Sequence, residues 1–194
     1  MAMELAKALF ATFFVSMLPV IELRGGIPFG VGLGLTTWQS FAAALLGNVI
    51  VGLVIIALLK PVLALLQRTK PFARASARIS QKFETKAGKI TQKSKIWAVI
   101  AFVGVPFPLT GVWTGAAVAV FLGLSFWSAA FACTVGVIIA GFIILGITML
   151  FPQYTGLIFN IFLVCAIVLI IAFLIYIFKK PQQKSGDSPA VPVS

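Results

Sequence analysis

Five long apolar runs dominate this chain, and they constrain its fold more than any other feature. They extend from about Leu5 to Leu35, Trp38 to Leu66, Ile96 to Leu124, Phe126 to Phe151 and Tyr154 to Phe178. A helix of about 20 apolar residues crosses a bilayer, and 61% of the 194 residues here are hydrophobic. The sequence therefore predicts an all-α integral membrane protein, with a single transmembrane domain over residues 1–180.

The composition argues against several kinds of chemistry. Histidine is absent, Cys133 and Cys165 stand alone in apolar runs, and the chain has only 4 acidic residues. Histidine is the commonest general base and metal ligand, and no metal-binding cysteine spacing is present. We therefore expect no metal site, no cofactor and no enzymatic activity.

Basic charge is concentrated in two places, the stretch from Lys60 to Lys95 and the tail after the last apolar run. In a membrane protein the positive-inside rule explains such a pattern more simply than nucleic-acid binding. Residues 67–95 also carry apolar side chains at helical spacing, among them Phe72, Ile79 and Phe83. This pattern predicts an amphipathic helix on an anionic leaflet, with a partner protein as the alternative. The Pro- and Ser-rich residues 181–194 are predicted to be a disordered tail.

The positions of these basic stretches predict the topology. Residues 67–95 and the C-terminus should both be cytoplasmic, so one of the last three runs cannot cross the membrane. The run Ile96–Leu124 is interrupted by Pro106 and Pro108, and each half is too short to span. It is predicted to be a re-entrant hairpin that enters and leaves on one side.

The chain also repeats itself at a constant offset of 89 residues. The matching positions are Pro19 with Pro108, Gly26 with Gly115, Leu33–Leu35 with Leu122–Leu124, Trp38 with Trp127, Ala43 with Ala132, Gly47 with Gly136 and Gly52 with Gly141. We predict two oppositely oriented re-entrant hairpins plus about three spanning helices, arranged as an inverted repeat. Repeat 1 covers about 5–66 and repeat 2 about 96–151, followed by a final spanning helix over 154–178. Pro19 and Pro28 are the predicted breaks of the first hairpin.

Glu22 and Arg24 are the strongest functional candidates. Ionisable groups at membrane depth are expensive and usually face a cavity or a partner. Arg24 has a planar fork of donors suited to phosphate or carboxylate, and the ends of broken helices attract anions. Burial favours a protonated Glu22 and the nearby arginine an ionised one, which suits a proton-coupling group. The alternative is that both residues lie at the headgroup boundary.

Seven further residues complete the predicted substrate site, six in the two hairpins and one in the second apolar run. They are Gly25 and Gly26 beside Arg24, Thr110, Gly111, Trp113 and Thr114 at the second hairpin tip, and Asn48. The alternatives are local hydrogen bonds of the threonines, an interfacial Trp113, and an interhelical hydrogen bond from Asn48.

Three motifs carry a family resemblance. They are Glu22–Pro28, Trp38 with Gly47-Asn48, and Pro106–Gly115. They resemble the small multidrug export protein family, a branch of the DedA/VTT superfamily, over roughly residues 5–178. The resemblance implies two opposed hairpins, and similarity to lipid scramblases and to translocases of undecaprenyl phosphate in the bacterial inner membrane. The chain departs from the better-studied DedA branch, because it has no charged residue between Ile96 and Leu124 and fewer acidic residues near the first hairpin.

Together these inferences predict a multi-pass protein of the inner (plasma) membrane. We expect a transporter or flippase for an anionic amphiphile, most concretely undecaprenyl phosphate, with proton coupling through Glu22. The expected partners are the bilayer and an anionic lipid or lipid phosphate, with no nucleic acid, and a homo-oligomeric state is compatible with the sequence. The alternatives are an efflux transporter for small molecules or ions, and a membrane scaffold that transports nothing.

Overall fold

The computed structural model describes residues 2–19, 21–67, 91–107 and 110–178. This part of the chain consists of helices joined by short turns. They are α1 (Ala2–Met17), α2 (Glu22–Gly32), α3 (Thr37–Gln67), α4 (Gln92–Gly104), α5 (Val112–Phe121), α6 (Phe126–Leu150), a 3-10 helix (Pro152–Tyr154) and α7 (Thr155–Phe178). The all-α prediction is confirmed for these residues. The predicted amphipathic helix lies largely outside the described residues, and the tail 181–194 lies entirely outside them.

Three stretches in the described residues are long and apolar enough to cross a membrane. They are Thr37–Val62 in α3, Phe126–Leu150 in α6, and Pro152–Leu169 at the start of the last helix. Large apolar side chains such as Phe14, Trp97 and Trp127 cover the outer surface. An outer surface of this composition is expected where lipid replaces water. The prediction of about three spanning helices is confirmed at the level of length and composition.

The first and third apolar runs each form two short helices. α1 ends at Met17, shortly before Pro19, and α4 ends at Gly104, shortly before Pro106. Val105, which precedes Pro106, is extended, with φ −76° and ψ 118°. A proline lacks the N–H that would continue the helix and disfavours helical backbone in the residue before it. Pro108 lies outside the described residues.

Pro28 does not break the first run, contrary to our prediction. It lies inside α2, and the helix continues beyond it to Gly32. α2 packs against α1, α3, α6 and α7, and 8 of its 11 residues are buried. Tertiary packing of this kind outweighs the single backbone hydrogen bond that a proline removes.

Each pair of short helices packs as an antiparallel hairpin. In the first, Ser16 lies against Gly26 and Thr12 lies against Gly30. In the second, Val103 lies against Gly115, and Lys95 Nζ donates to the carbonyl of Leu122 at 3.0 Å. In both pairs of helices, the contact partner's residue number rises on one helix as it falls on the other, so the two helices run in opposite directions. In each hairpin the break therefore forms the tip.

The two hairpins are followed by turns of matching geometry. Gly34 and Gly123 adopt φ of +87° and +72°, which a residue with a Cβ rarely tolerates. After each of them a leucine N–H donates to the carbonyl five residues earlier, from Leu35 to Gly30 and from Leu124 to Ala119, both at 3.1 Å. This is a Schellman turn, and a spanning helix begins two residues later, at Thr37 and at Phe126. Corresponding features therefore recur at the 89-residue offset found in the sequence.

α3 and α6 form the centre of the fold and run antiparallel. The rings of Phe41 and Phe142 lie 5.2 Å apart near one end of the pair. Further along, Leu53 of α3 and Ala130 of α6 line the same narrow crevice. α3 also packs against α1, α2 and α5, and α6 against α2, α4 and α5. The spanning pair thus holds the tips of both hairpins against each other.

Candidate functional site

Glu22 and Arg24 lie in the first turn of α2 and are enclosed by protein. Their residues are 3% and 2% exposed. This burial contradicts the alternative in which headgroups solvate both side chains. Because a buried charge is costly unless it is paired and hydrogen-bonded, the contacts of these two side chains define the candidate site.

Glu22 has an unusual backbone. Its φ is +49°, the left-handed region, which costs about 1–2 kcal/mol for a residue with a side chain. The conformation occurs where the chain reverses between α1 and α2, and the Glu22 N–H donates to the carbonyl of Leu18 at 3.1 Å. Such strain is retained only where the surrounding structure fixes it, and it is concentrated at functional sites.

Arg24 extends from the first hairpin to the break of the second. Its Nη1 donates to the carbonyl of Phe107 at 2.6 Å, and its Nη2 donates to the carbonyls of Val105 at 3.1 Å and Val103 at 3.4 Å. These carbonyls belong to the end of α4 and the residues just after it, where acceptors have no partner within the helix. A cation is also favoured at this negative end of the helix dipole. Arg24 therefore caps α4.

Glu22 makes the complementary contact with the start of α5. Its Oε1 accepts a hydrogen bond from the N–H of Trp113 at 3.3 Å, and the N–H of Val112 also hydrogen-bonds the carboxylate. Gly111 lies directly beneath the carboxylate, at a position where any Cβ would collide with it. Arg24 Nη1 is 3.7 Å from Glu22 Oε2. One acid and one base of the first hairpin thus satisfy both ends of the break in the second.

Thr110 fixes the backbone of that break. Its hydroxyl lies 2.8 Å from the carbonyl of Val105 and 2.9 Å from that of Phe107, and it accepts from the Phe107 N–H at 3.3 Å. Arg24 Nη2 also points to this hydroxyl, at 3.3 Å. Thr114 Oγ1 donates to the Gly111 carbonyl at 3.2 Å. Both threonines therefore make the local backbone contacts weighed in the sequence, and Thr110 in addition contacts Arg24.

The end of α1 is capped from outside its own hairpin. Trp113 Nε1 donates to the carbonyl of Met17 at 3.1 Å, and Asn48 Nδ2 donates to the carbonyl of Ser16 at 3.1 Å. The structure therefore places Trp113 at the junction of the two tips rather than at an interface with headgroups. Asn48 makes an interhelical hydrogen bond.

Gly25 and Gly26 lie at close helix contacts. A Cβ on Gly25 would meet Ile21, and one on Gly26 would meet Ser16 and Ala44. The substrate-binding roles inferred for Arg24, Gly25, Gly26, Asn48 and the second-tip residues stay predictions.

Three buried polar atoms have no hydrogen-bond partner among the described residues. They are Arg24 Nε, Asn48 Oδ1 and Thr148 Oγ1. Thr148 lies in α6 and was not identified from the sequence, where it is one threonine in a long apolar run. The backbone carbonyls that bind Arg24 were not predicted either, because every residue has a carbonyl and the sequence does not show which of them a side chain reaches. The only sequence indication of them was the pair of prolines that interrupts the third run.

Comparison with known proteins identified one family. The profile of the family described as "Putative small multi-drug export protein" matches residues 22–143. The matched segment begins with Glu22 and includes both of the motifs that meet at the junction. No curated protein and no solved structure matched the chain. The wider DedA/VTT relationship inferred from the motifs stays a prediction.

Proposed function

Because the chain belongs to the small multi-drug export protein family, we propose that it is a membrane transporter whose substrate is an anionic amphiphile. A polyprenyl phosphate such as undecaprenyl phosphate is the most concrete substrate. The observation that carries this proposal is the buried junction of Glu22 and Arg24 with the backbone of residues 103–107 and 110–113, on the two sides of the break. Irregular backbone at membrane depth is tolerated where it is buried in protein or lines a cavity. In transporters, such broken helices form the substrate site.

The inverted repeat belongs to the same proposal, and the packing of small residues supports it. Gly52 of α3 packs against Val112 of α5, and Gly141 of α6 packs against Leu23 of α2. The two contacts are equivalent under the 89-residue repeat, because Gly52 corresponds to Gly141 and Val112 corresponds to Leu23. Within each unit, Gly47 packs against Phe13 of α1, and its counterpart Gly136 packs against Val103 of α4, one residue beyond the position equivalent to Phe13. Two similar units in opposite orientation would give the alternating access that transport requires.

We propose that the two hairpins are re-entrant from opposite faces of the membrane. α1 and α4 have 16 and 13 residues, fewer than the roughly 20 that a span requires. The end of α3 and the start of α4 border the basic stretch 67–95, which we place on the cytoplasmic side of the inner membrane together with the C-terminus. α7, which follows the second repeat and has no counterpart in the first, then returns the chain to the cytoplasmic side.

Arg24 is the group through which the junction would respond to substrate binding. Its Nη groups are held by neutral carbonyls, whereas a phosphate would add the attraction of opposite charges and can bind a guanidinium through two parallel hydrogen bonds. An anionic head group can therefore compete for the guanidinium. Exchange of partners would release the capped end of α4 and so link head-group binding to movement of the second hairpin. Proton coupling would come from Glu22, whose hold on α5 depends on its negative charge.

The proposal is tested with purified protein in liposomes that contain a polyprenyl phosphate with a fluorescent label on its chain. The quantity measured is the rate at which the phosphate head group becomes accessible on the opposite face. We expect faster movement with the wild-type protein than in empty liposomes, and a loss of at least roughly tenfold in Arg24→Lys, because an ammonium cannot replace a planar fork. Lys7→Gln, at an exposed ion pair with Glu4, is the control and should match wild type. Equal rates in wild-type and empty liposomes would refute the lipid proposal.

The description of the family supports a second candidate, export of small drug-like molecules. In that case Glu22 would hold a cationic or neutral substrate, and Arg24 would be structural. Efflux of a lipophilic cation from the same liposomes separates the two candidates. Cation efflux that disappears in Glu22→Gln, without movement of the phosphate lipid, would favour the exporter. A scaffold would show neither activity, although it would still be folded.

A further inference from the structure

We propose that the start of α5 and Arg24 form an anion site which the chain occupies with its own Glu22 carboxylate. This inference rests on the proposed function and specifies the chemistry of its site: a proton and an anionic group bind together. The Glu22 carboxylate then acts as a tethered substitute for the anionic group of the substrate.

The first support is the geometry of the α5 N-terminus. The backbone N–H groups of Trp113 and Val112 converge on the Glu22 carboxylate, at a helix end that attracts negative charge. Gly111 has no side chain at this point, and the space that its Cβ would need is filled by the carboxylate group. The Glu22 carboxylate therefore occupies the space directly beside the Gly111 backbone.

The second support is independent of the helix end. Arg24 is 2% exposed, stands 3.7 Å from the carboxylate, and its Nε has no partner among the described residues. A buried donor left without an acceptor is expensive. A guanidinium with a free donor beside an occupied anion position can bind a group that brings more acceptor oxygens than the present one.

The surroundings contain little else that could titrate. Among the described residues, Arg24 is the charged group that acts on Glu22. The charged residues of the helices packed around it lie elsewhere. Glu4 and Lys7 pair with each other near the start of α1, Lys60 lies in the last third of α3, and Lys93 and Lys95 lie in the first turn of α4, at the far end of the second hairpin. α5, α6 and α7 carry no charged residue. Protonation of Glu22 would therefore leave the N–H groups and Arg24 without an anion, and the site would be open to an external one.

The experiment empties the site by mutation and refills it with a small anion. Glu22→Gly removes the carboxylate, and glycine adopts a φ of +49° without strain. Purified Glu22→Gly is titrated with sodium formate at constant ionic strength, with sodium chloride as the balancing salt, and its Tm is recorded. We expect Tm to rise with the logarithm of formate concentration above the Kd, and by roughly 3 °C at ten times the Kd. Wild type at neutral pH, in which the Glu22 carboxylate fills the site, should show no such rise.

Two outcomes would overturn the proposal. The first is folded Glu22→Gly with a Tm that does not respond to formate, and the second is an equal response in wild type at neutral pH. Should Glu22→Gly not fold, calorimetry of formate binding to wild type, from neutral down to mildly acidic pH and in buffers of different ionisation enthalpy, gives the same decision. Binding accompanied by uptake of about one proton supports the site, and absence of uptake or of binding overturns it. A formate response without lipid movement would refute the polyprenyl phosphate substrate and leave the anion site intact.

Discussion

Arg24 and Trp113 stand 89 residues apart, and each donates to the backbone carbonyls at the end of the first helix of the other hairpin. Arg24 caps α4 through the carbonyls of Val105 and Phe107, and Trp113 caps α1 through the carbonyl of Met17. The two side chains occupy equivalent positions of the repeated sequence. Each hairpin therefore supplies hydrogen-bond donors to backbone carbonyls at the break of the other, and neither hairpin provides these donors to itself.

Trp113→Phe tests the weaker of these two caps. Phenylalanine keeps most of the ring and removes the indole N–H, so the Met17 carbonyl loses its donor. We expect the free energy of unfolding to fall by about 1–2 kcal/mol, as for a buried hydrogen bond whose acceptor is left unpaired. Thermal or denaturant unfolding in detergent measures the change. Trp127→Phe is the matched control, because Trp127 is 80% exposed, and equal losses in both variants would contradict the capping role.

Arg24→Lys should be destabilising even where activity is not measured. Lysine keeps the positive charge but cannot span carbonyls that Arg24 binds through two separate nitrogens. We expect a loss of about 2–4 kcal/mol, since a buried charge would be left with incomplete hydrogen bonding. Unfolding of the variant is compared with that of Lys7→Gln, which should change stability by less than about 0.5 kcal/mol. A stable Arg24→Lys would show that the capping contacts contribute little.

Gly111→Ala and Glu22→Gly should compensate each other. An added Cβ at Gly111 collides with the Glu22 carboxylate, so Gly111→Ala alone should destabilise the protein by about 1–3 kcal/mol. In the Glu22→Gly background the same alanine has room, and its effect should fall below about 0.5 kcal/mol. A double-mutant cycle of unfolding free energies measures the coupling. Additive effects would mean that the two residues are not in contact.

Proton dependence is expected to reside in Glu22. Lower pH on the side from which substrate loads neutralises the carboxylate and opens the anion site, so transport by wild type should rise as that side is acidified. Glu22→Gln cannot titrate and should transport at a rate independent of the gradient. Lipid movement in liposomes with and without an imposed pH difference provides the measurement. A wild-type gradient response that persists in Glu22→Gln would assign the coupling to another group.

Cysteine labelling tests the orientation. In a background without Cys133 and Cys165, cysteines at residues 82 and 184 should react with an impermeant reagent only from the cytoplasm, and one at Thr37 only from outside. Labelling of residues 82 and 184 from opposite faces would make the third apolar run a complete span. It would then remove the second re-entrant hairpin from the proposal.

The helices were largely predictable because apolar run length and proline position determine them. The predicted run Phe126–Phe151 became α6, Phe126–Leu150, and the break at Pro106 ended α4 as expected. Pro28 was misjudged, since its tolerance depends on packing from four neighbouring helices that no local pattern reports.

The site was predictable in its charged residues and not in their partners. Charge within an apolar run identified Glu22 and Arg24, because burying such groups is costly. Their partners are backbone atoms of residues 103–113, and only the tertiary fold decides which carbonyl or N–H a side chain reaches. The positive φ of Glu22 was equally hidden, because the residue type gives no hint of it.

The contact between Glu22 and Gly111 also limits how such a protein can be assembled. The two residues stand 89 positions apart and meet at one point. Two identical half-length subunits related by a two-fold axis would bring two copies of the same side chain to that point. Two glutamates would crowd and repel each other, and two glycines would supply no acid. A single carboxylate at this meeting point requires two halves of different sequence, and a single fused chain provides them in fixed proportion.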